Sequence, residues 1–166
     1  MAHTKVIEGV ASVGILEEIL NQFQVIVGKE NLILEEEARH EYSHDKTEDY
    51  SFMPDVVIKP HSPQQISAIL KICNIYQLPV TPRGAGTGLS GGALPVKKGV
   101  VISMERFKKI LQIDELNLQA TVEPGVITEV FQNAVKEKGL FYPPDPASGG
   151  SCYLGGNLAN NSGGPK

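Results

Sequence analysis

A chain of 166 residues with 41% hydrophobic and 20% charged residues has the composition of a folded globular domain with a buried core. A net charge of −4 with no Lys/Arg cluster argues against nucleic acid as a partner, and no apolar run reaches the length of a membrane span. The opening MAHTKVIEGVASVG lacks the apolar centre of a secretion signal, and the two cysteines, Cys73 and Cys152, give no disulfide framework, so a reducing, cytoplasmic setting is expected.

Over residues 12–27, Val13, Leu16, Ile19, Leu20, Phe23 and Ile26 recur at helical spacing, and Gly28 follows as a stop. Residues 35–41, EEEARHE, predict a short helix, and 55–59, DVVIK, a buried strand closed by Pro60. A helix start follows, with Ser62 at the N-cap, Pro63 at the first helical position and Gln65 at the capping-box position. Ile66, Ile69, Leu70, Cys73 and Tyr76 then form one apolar face, which makes Cys73 a core thiol.

The strand LPVTP (78–82) runs into PRGAGTGLSGG (82–92), and a second strand, GVVISM, covers 99–104. Strands at 110–114 and 118–122, joined by ELN, predict a hairpin. A helix over 127–138 turns Val130, Phe131, Ala134 and Val135 inward, has Lys136 and Lys138 at its negative end and stops at Gly139. The remaining stretch, LFYPPDPASGGSCYLGGNLANNSGGPK, has almost no periodicity and is expected to be ligand-facing loop. This order of elements predicts an α+β fold, with residues 1–50 as a helical lead-in and 51–166 as the main unit.

Two literal motifs lead elsewhere. GTGLSG (86–91) spells G-x-G-x-x-G, and Glu105 lies near the distance of a ribose-binding acid. A Rossmann site needs a helix directly after that loop, however, and LSGGALPVKK (89–98), with two glycines and Pro95, denies it one. No G-K-[ST] closes the loop as a Walker A motif would. HEYSH (40–44) spells H-E-x-x-H, but His61 is the only nearby candidate for a third ligand, and it sits at the mouth of a different helix. A polar helix end on a solvated acidic face accounts for it, and no metal site is expected.

A strand that enters a glycine loop with no following helix suits a nest of backbone N–H groups around phosphate oxygens. Gly84, Gly86 and Gly88 allow close approach, Thr87 and Ser90 add hydroxyls, and Arg83 adds charge or is structural. PVTPRGAGTGLSGGALP resembles the pyrophosphate loop of the FAD-linked oxidases of the vanillyl-alcohol oxidase / p-cresol methylhydroxylase superfamily. Within it the likeness is to the branch with the glycolate oxidase FAD subunit, D-lactate dehydrogenases and D-2-hydroxyglutarate dehydrogenases. PDVVIKP, VEPGV (122–126) and YPPDPAS followed by SCYLGGNLANNSGG occur in that family's order, so the resemblance covers most of the chain.

The resemblance implies an incomplete PCMH-type FAD-binding domain: a small βαβ subdomain, then the start of a second, mainly antiparallel α+β subdomain. It implies an FAD diphosphate on the backbone of Arg83, Gly84, Ala85, Gly86, Thr87, Gly88, Leu89 and Ser90. The isoalloxazine side would be lined by Pro144, Asp145, Ser151, Cys152, Gly155, Gly156, Asn157 and Asn161. Some relatives tether FAD through a histidine in the first loop; Gly86-Thr87-Gly88 has none, so non-covalent FAD is expected. Where the family usually carries Thr or His before an isoleucine-glycine-glycine run, this chain has Tyr153-Leu154, and Tyr153 either meets the flavin or packs outward.

In the family, a segment like NNSGGPK lies in mid-domain, and the catalytic and substrate-binding groups lie beyond it. The chain is therefore expected to be an N-terminal part, a truncated chain or one piece of a split protein, with its catalytic residues downstream of Lys166. The exposed edges of a half-built domain predict that the isolated chain binds FAD weakly or not at all, and that it homo-oligomerises or is only marginally stable. The implied activity is oxidation of a 2-hydroxy acid such as glycolate or D-lactate to the 2-oxo acid, by hydride transfer to flavin N5. A quinone, an iron–sulfur subunit or oxygen would take the electrons, in the cytoplasm or peripheral to the membrane. The alternatives are a non-catalytic FAD-binding subunit of a larger complex and a relative of FAD-dependent alkyl-glycerone-phosphate synthase.

Overall fold

The computed structural model describes residues 17–164. The chain runs α1 (Glu17–Val27), a 3-10 turn (Lys29–Asn31), β1 (Leu32–Ile33), α2 (Glu36–His40), β2 (Val56–Ile58), α3 (Pro63–Ile75), β3 (Val80–Arg83), β4 (Val100–Ser103), β5 (Ile110–Asp114), β6 (Gln119–Val122), α4 (Thr128–Lys136) and α5 (Leu154–Ala159). The predicted start of the first helix, at 12–16, lies outside the described residues.

Two cores form, each from a different sheet. The first sheet has the order β1-β2-β4-β3. β2 and β3 both pair in parallel with β4, while β1 adds an antiparallel edge. Side chains alternate along a strand. Val56, Ile58, Val100 and Ile102 therefore point to one face, where Ile19, Phe23 and Val27 of α1 and Ile69 and Cys73 of α3 cover them. Val57 and Val101 point the other way and are also fully buried. A strand buried on both faces reads as an unbroken apolar run, which is why DVVIK and GVVISM were legible. The lead-in is part of this core, because α1 and β1 supply Phe23 and Leu32 to it.

The second core is smaller. It joins Val126, Phe131, Val135 and Leu154 to Ile110, Ile113, Val122, Leu140 and Tyr142, so the β5–β6 hairpin packs with α4 and α5. The mixed α+β architecture in two parts agrees with the fold class expected from the sequence.

α3 begins as its capping residues dictate. Ser62 Oγ accepts from Gln65 N at 3.2 Å, and Gln65 Oε1 accepts in return from His61 N at 2.9 Å. Two predicted faces need correction. On α3, Leu70 and Tyr76 are exposed, and Ile72 packs on the core instead. On α4, Val130 is 52% exposed because the hairpin and α5 cover only the Phe131–Val135 side.

The stretch after residue 139 is not all loop. α5 forms over Leu154–Ala159 although its first turn contains two glycines. Tertiary bonds hold it: Leu154 N donates to Val126 O at 2.9 Å, and Gly155 N donates to Pro124 O at 2.9 Å. The buried Asn157 Nδ2 donates to Thr128 Oγ1 at 2.6 Å. Gly155 has to be glycine here, since a Cβ would lie 2.6 Å from Pro124 Cβ and 2.9 Å from Pro124 O.

The H-E-x-x-H segment is not a metal-binding helix. α2 ends at His40, so His44 lies in the irregular segment beyond it, with the two rings 5.5 Å apart. Among the described residues, no group of three or more His, Cys, Asp or Glu could hold a metal.

Candidate nucleotide-binding cleft

The chain leaves β3 at Arg83 and reaches β4 through turns and bends alone, with no helix. This loop faces α5 across a narrow cleft of about 100 Å³. Whole-ligand pockets occupy ~300–1,000 Å³, so the cleft accommodates one part of a larger ligand. Gly84, Ala85, Gly86, Thr87, Gly88, Ser90, Gly92 and Ala93 form one wall; Ser148, Cys152, Tyr153, Gly156, Asn157, Asn160 and Ser162 form the other.

The glycine wall is rich in unused donors. Among the described residues, none of the seven backbone N–H groups from Gly84 to Ser90 donates a hydrogen bond within the protein. Consecutive amides of this kind bind anions, phosphate oxygens above all. The walls also approach closely. A Cβ added at Gly84 would lie 3.9 Å from Tyr153 Cδ2 and 4.0 Å from Gly156 Cα. Any larger side chain at 84 fills the cleft.

Arg83 points away from the cleft. Its side chain is buried, donates from Nη1 to His44 O at 2.6 Å and from Nη2 to Glu41 O at 3.1 Å, and lies over the Tyr42 ring. Burial pushes the guanidinium below its usual value, against the pull of Asp45, Tyr42 and Glu41. Gly86, at φ 72°, accommodates it: a Cβ there would lie 2.2 Å from Arg83 Nη2. Of the four sequence-predicted residues in the 144–152 region, Cys152 alone lines the cleft. Pro144 O accepts from Gln132 Nε2 at 2.8 Å, and Asp145 lines a separate hollow with Glu129, Gln132 and Gly149. Ser151 Oγ turns back to Ser148 O, Leu89 is 77% exposed, Gly155 packs on Pro124, and Asn161 sits in a left-handed turn after α5 with φ 51°.

Several cleft residues were not legible in advance. Tyr153 faces the glycine loop rather than packing outward, and burial raises its phenol, as does the charge of Glu105. Asp45 reaches the cleft from the lead-in, and Asn160 and Ser162 come from the end of α5 and the turn beyond it. Two bonds tie the lead-in to the loop: Lys46 N donates to Gly88 O at 3.0 Å, and Gly91 N donates to Thr47 Oγ1 at 2.9 Å. Glu105, at the distance of a ribose-binding acid, is otherwise engaged. It accepts from Tyr42 Oη at 2.8 Å and Ser103 Oγ at 3.0 Å and pairs with Lys59 Nζ at 2.6 Å.

A profile of the family described as the FAD binding domain matches residues 54–166. The chain belongs to this family. The FAD-binding domain is 46% identical over 150 residues to the glycolate oxidase subunit GlcD of Bacillus subtilis (strain 168), covering 90% of this chain and 32% of that protein. It is 35% identical over 148 residues to a D-lactate dehydrogenase of Anaerostipes hadrus, covering 89% of this chain and 31% of the relative. It therefore spans about a third of the length of these curated relatives. Among solved structures, p-cresol methylhydroxylase aligns with a TM-score of 0.77 at 23% identity over 87% of this chain and 29% of that one, which establishes the fold. Family and cofactor agree with the resemblance read from the glycine loop. A domain that binds FAD has use for both features of the cleft, the unpaired amides for a diphosphate and the side-chain-free walls for close approach.

Proposed function

We propose that this chain forms the diphosphate-holding part of a flavoprotein that oxidises a 2-hydroxy acid, such as glycolate or D-lactate, to the 2-oxo acid. The observation that carries the reading is the run of unpaired backbone N–H groups from Gly84 to Ser90 in a chain of the FAD binding domain family. The relatives named as a glycolate oxidase subunit and a D-lactate dehydrogenase support the substrate class.

In this reading the amides of residues 84–90 receive the FAD diphosphate, Gly156 and Tyr153 close over it from α5, and Arg83 holds the loop's shape from behind. Bound FAD supplies the two-electron acceptor, at flavin N5. Thr87 offers no nucleophilic ring nitrogen for a covalent link, so FAD is held non-covalently. Residues 51–166 form the first part of the FAD unit, and the groups that bind substrate and pass electrons to a quinone, an iron–sulfur subunit or oxygen lie in other parts of the flavoprotein.

The test uses the full-length protein. It should be yellow, lose its 450 nm band on anaerobic addition of a D-2-hydroxy acid, and release all its flavin on acid precipitation. Retention of flavin in the precipitate would refute the non-covalent assignment. A flavin that no member of a 2-hydroxy acid panel bleaches would refute the substrate class.

A further inference from the structure

Among the described residues, one buried side-chain polar atom lacks a partner; it belongs to a residue that lines the cleft and lies outside the stretch matched to the family. Asp45 is 7% exposed, and its Oδ1 accepts from Thr47 N at 2.8 Å in a local turn. Its Oδ2 is buried and has no hydrogen-bond partner among the described residues. Leaving a buried acceptor unpaired costs ~1–3 kcal/mol, and more when it is charged, so such an atom calls for a hydrogen-bond donor, either an ordered water or a ligand group that replaces it. Asp45 makes no ion pair among the described residues, since Arg83 spends its guanidinium on the carbonyls of His44 and Glu41.

The surroundings of Oδ2 indicate the ligand group. The point where a Cβ of Gly88 would stand is 3.9 Å from Asp45 Oδ2 and 3.9 Å from Asn160 Nδ2. An acceptor and a donor thus flank the same open position, in a cleft whose other lining is backbone amide. A phosphate oxygen offers no proton to a carboxylate. An apolar ring edge would leave both groups unpaired. A hydroxyl satisfies both at once, donating to Asp45 and accepting from Asn160.

We propose that Asp45 is a cofactor-binding residue, and that its Oδ2 and Asn160 Nδ2 together hold a sugar-chain hydroxyl next to the cofactor diphosphate. This rests on the assignment of the cleft to the FAD diphosphate. The hydroxyl belongs to either the ribityl chain or the adenosine ribose, which share this chemistry.

The experiment compares wild type, Asp45→Asn and Asn160→Ala in the full-length protein, measuring flavin affinity by titration of the apoprotein and apoprotein Tm by calorimetry. Asp45→Asn keeps the Oδ1 acceptor of the Thr47 turn but sets two amide donors against one hydroxyl. FAD affinity should fall about ten- to a hundredfold, the worth of a charge-assisted bond. The apoprotein Tm should stay the same or rise, because a buried unpaired acceptor has been removed. Asn160→Ala should weaken FAD less, by severalfold. Repeating the titration with FMN and with ADP locates the hydroxyl: an Asp45→Asn loss with FMN assigns it to ribityl, and one with ADP to ribose.

Unchanged or tighter FAD binding by Asp45→Asn would overturn the proposal, since a donor there would suit a phosphate oxygen. So would a fall in affinity accompanied by a lower apoprotein Tm, which marks a structural role. Wild-type binding abolished by a chelator would also overturn it, in favour of a metal bridge. If wild type binds no FAD at all, the assignment of the cleft fails, a result separate from any effect of the variants.

Discussion

Gly84 and Gly86 stand two residues apart in one loop, and alanine at each should have opposite consequences. At Gly86 the backbone is at φ 72°, and the new Cβ would lie 2.2 Å from Arg83 Nη2. Left-handed backbone costs an alanine ~1–2 kcal/mol. Displacing the guanidinium also strains its bonds to His44 O and Glu41 O, each hydrogen bond to a charged group being worth ~1.5–3 kcal/mol. Gly86→Ala should therefore lose about 3 kcal/mol or more, which lowers Tm by ~6–12 °C in a domain of this size. At Gly84 the new Cβ meets only Tyr153 Cδ2 and Gly156 Cα at ordinary contact distance, so apoprotein stability should change by less than ~0.5 kcal/mol. That methyl does occupy the cleft, and FAD affinity should fall about tenfold or more through the loss of at least one amide contact to the diphosphate. Calorimetry of the apoproteins and flavin titration of both variants read the two effects separately. A Gly84→Ala protein that binds FAD as wild type does would refute the assignment of this cleft. A Gly86→Ala protein of wild-type Tm would refute the role given to Arg83.

Three further outcomes are expected. Burial works to raise the Glu105 carboxyl, but bonds from Lys59, Tyr42 and Ser103 outweigh it and hold it below the usual glutamate range. Its folded value being depressed, its contribution is present above the ordinary value of ~4.3 and is lost as pH falls through the folded value. Glu105→Gln should therefore flatten the acid limb of a Tm-against-pH curve below about pH 4.3, and an unchanged limb would contradict the network. Asn157→Ala removes the buried bond to Thr128 and should cost ~1–3 kcal/mol, with amide exchange accelerating over Leu154–Ala159 first; uniform acceleration would contradict a local anchor. Phe23 is fully buried under the first sheet, so Phe23→Ala should cost ~3–5 kcal/mol, whereas a loss below ~1 kcal/mol would show that the lead-in is dispensable to that core.

Elements that the sequence made legible carry their own cause within a few residues. Ser62, Pro63 and Gln65 start α3 by local hydrogen bonding and fixed φ, and the Val-rich runs at 56–58 and 100–103 are strands buried on both faces. α5 has no such local cause. Its LGGNLA carries two residues of poor helix propensity and no side-chain cap, and it is helical because Val126, Pro124 and Thr128 receive its polar groups from another part of the chain. The same distinction explains Asp45. Nothing within reach of HEYSHDK signals a ligand, and long-range bonds bring that segment over the loop: Lys46 to Gly88, Gly91 to Thr47, and Arg83 to the carbonyls of His44 and Glu41.

The glycines of PRGAGTGLSGG divide by what stands opposite each one. Gly84, Gly88 and Gly92 face Tyr153, Gly156 and Asn160 near van der Waals distance, and a side chain at any of them narrows the cleft. Gly86 faces inward, and its missing Cβ is space taken by Arg83. A nest needs both kinds. Its amides can point at an anion only if the loop stays open on the ligand side and its curvature is fixed from behind, a place taken in this chain by a buried guanidinium bonded to two backbone carbonyls. If the loop holds the diphosphate as proposed, the charge in PRGAG serves it through the backbone shape it imposes, and Arg83→Lys, which keeps the charge but not the two-carbonyl geometry, should disable the loop nearly as far as Arg83→Ala does. Parallel FAD titrations of the two variants decide it: recovery of wild-type affinity by lysine would mean that charge, not shape, is what the loop requires.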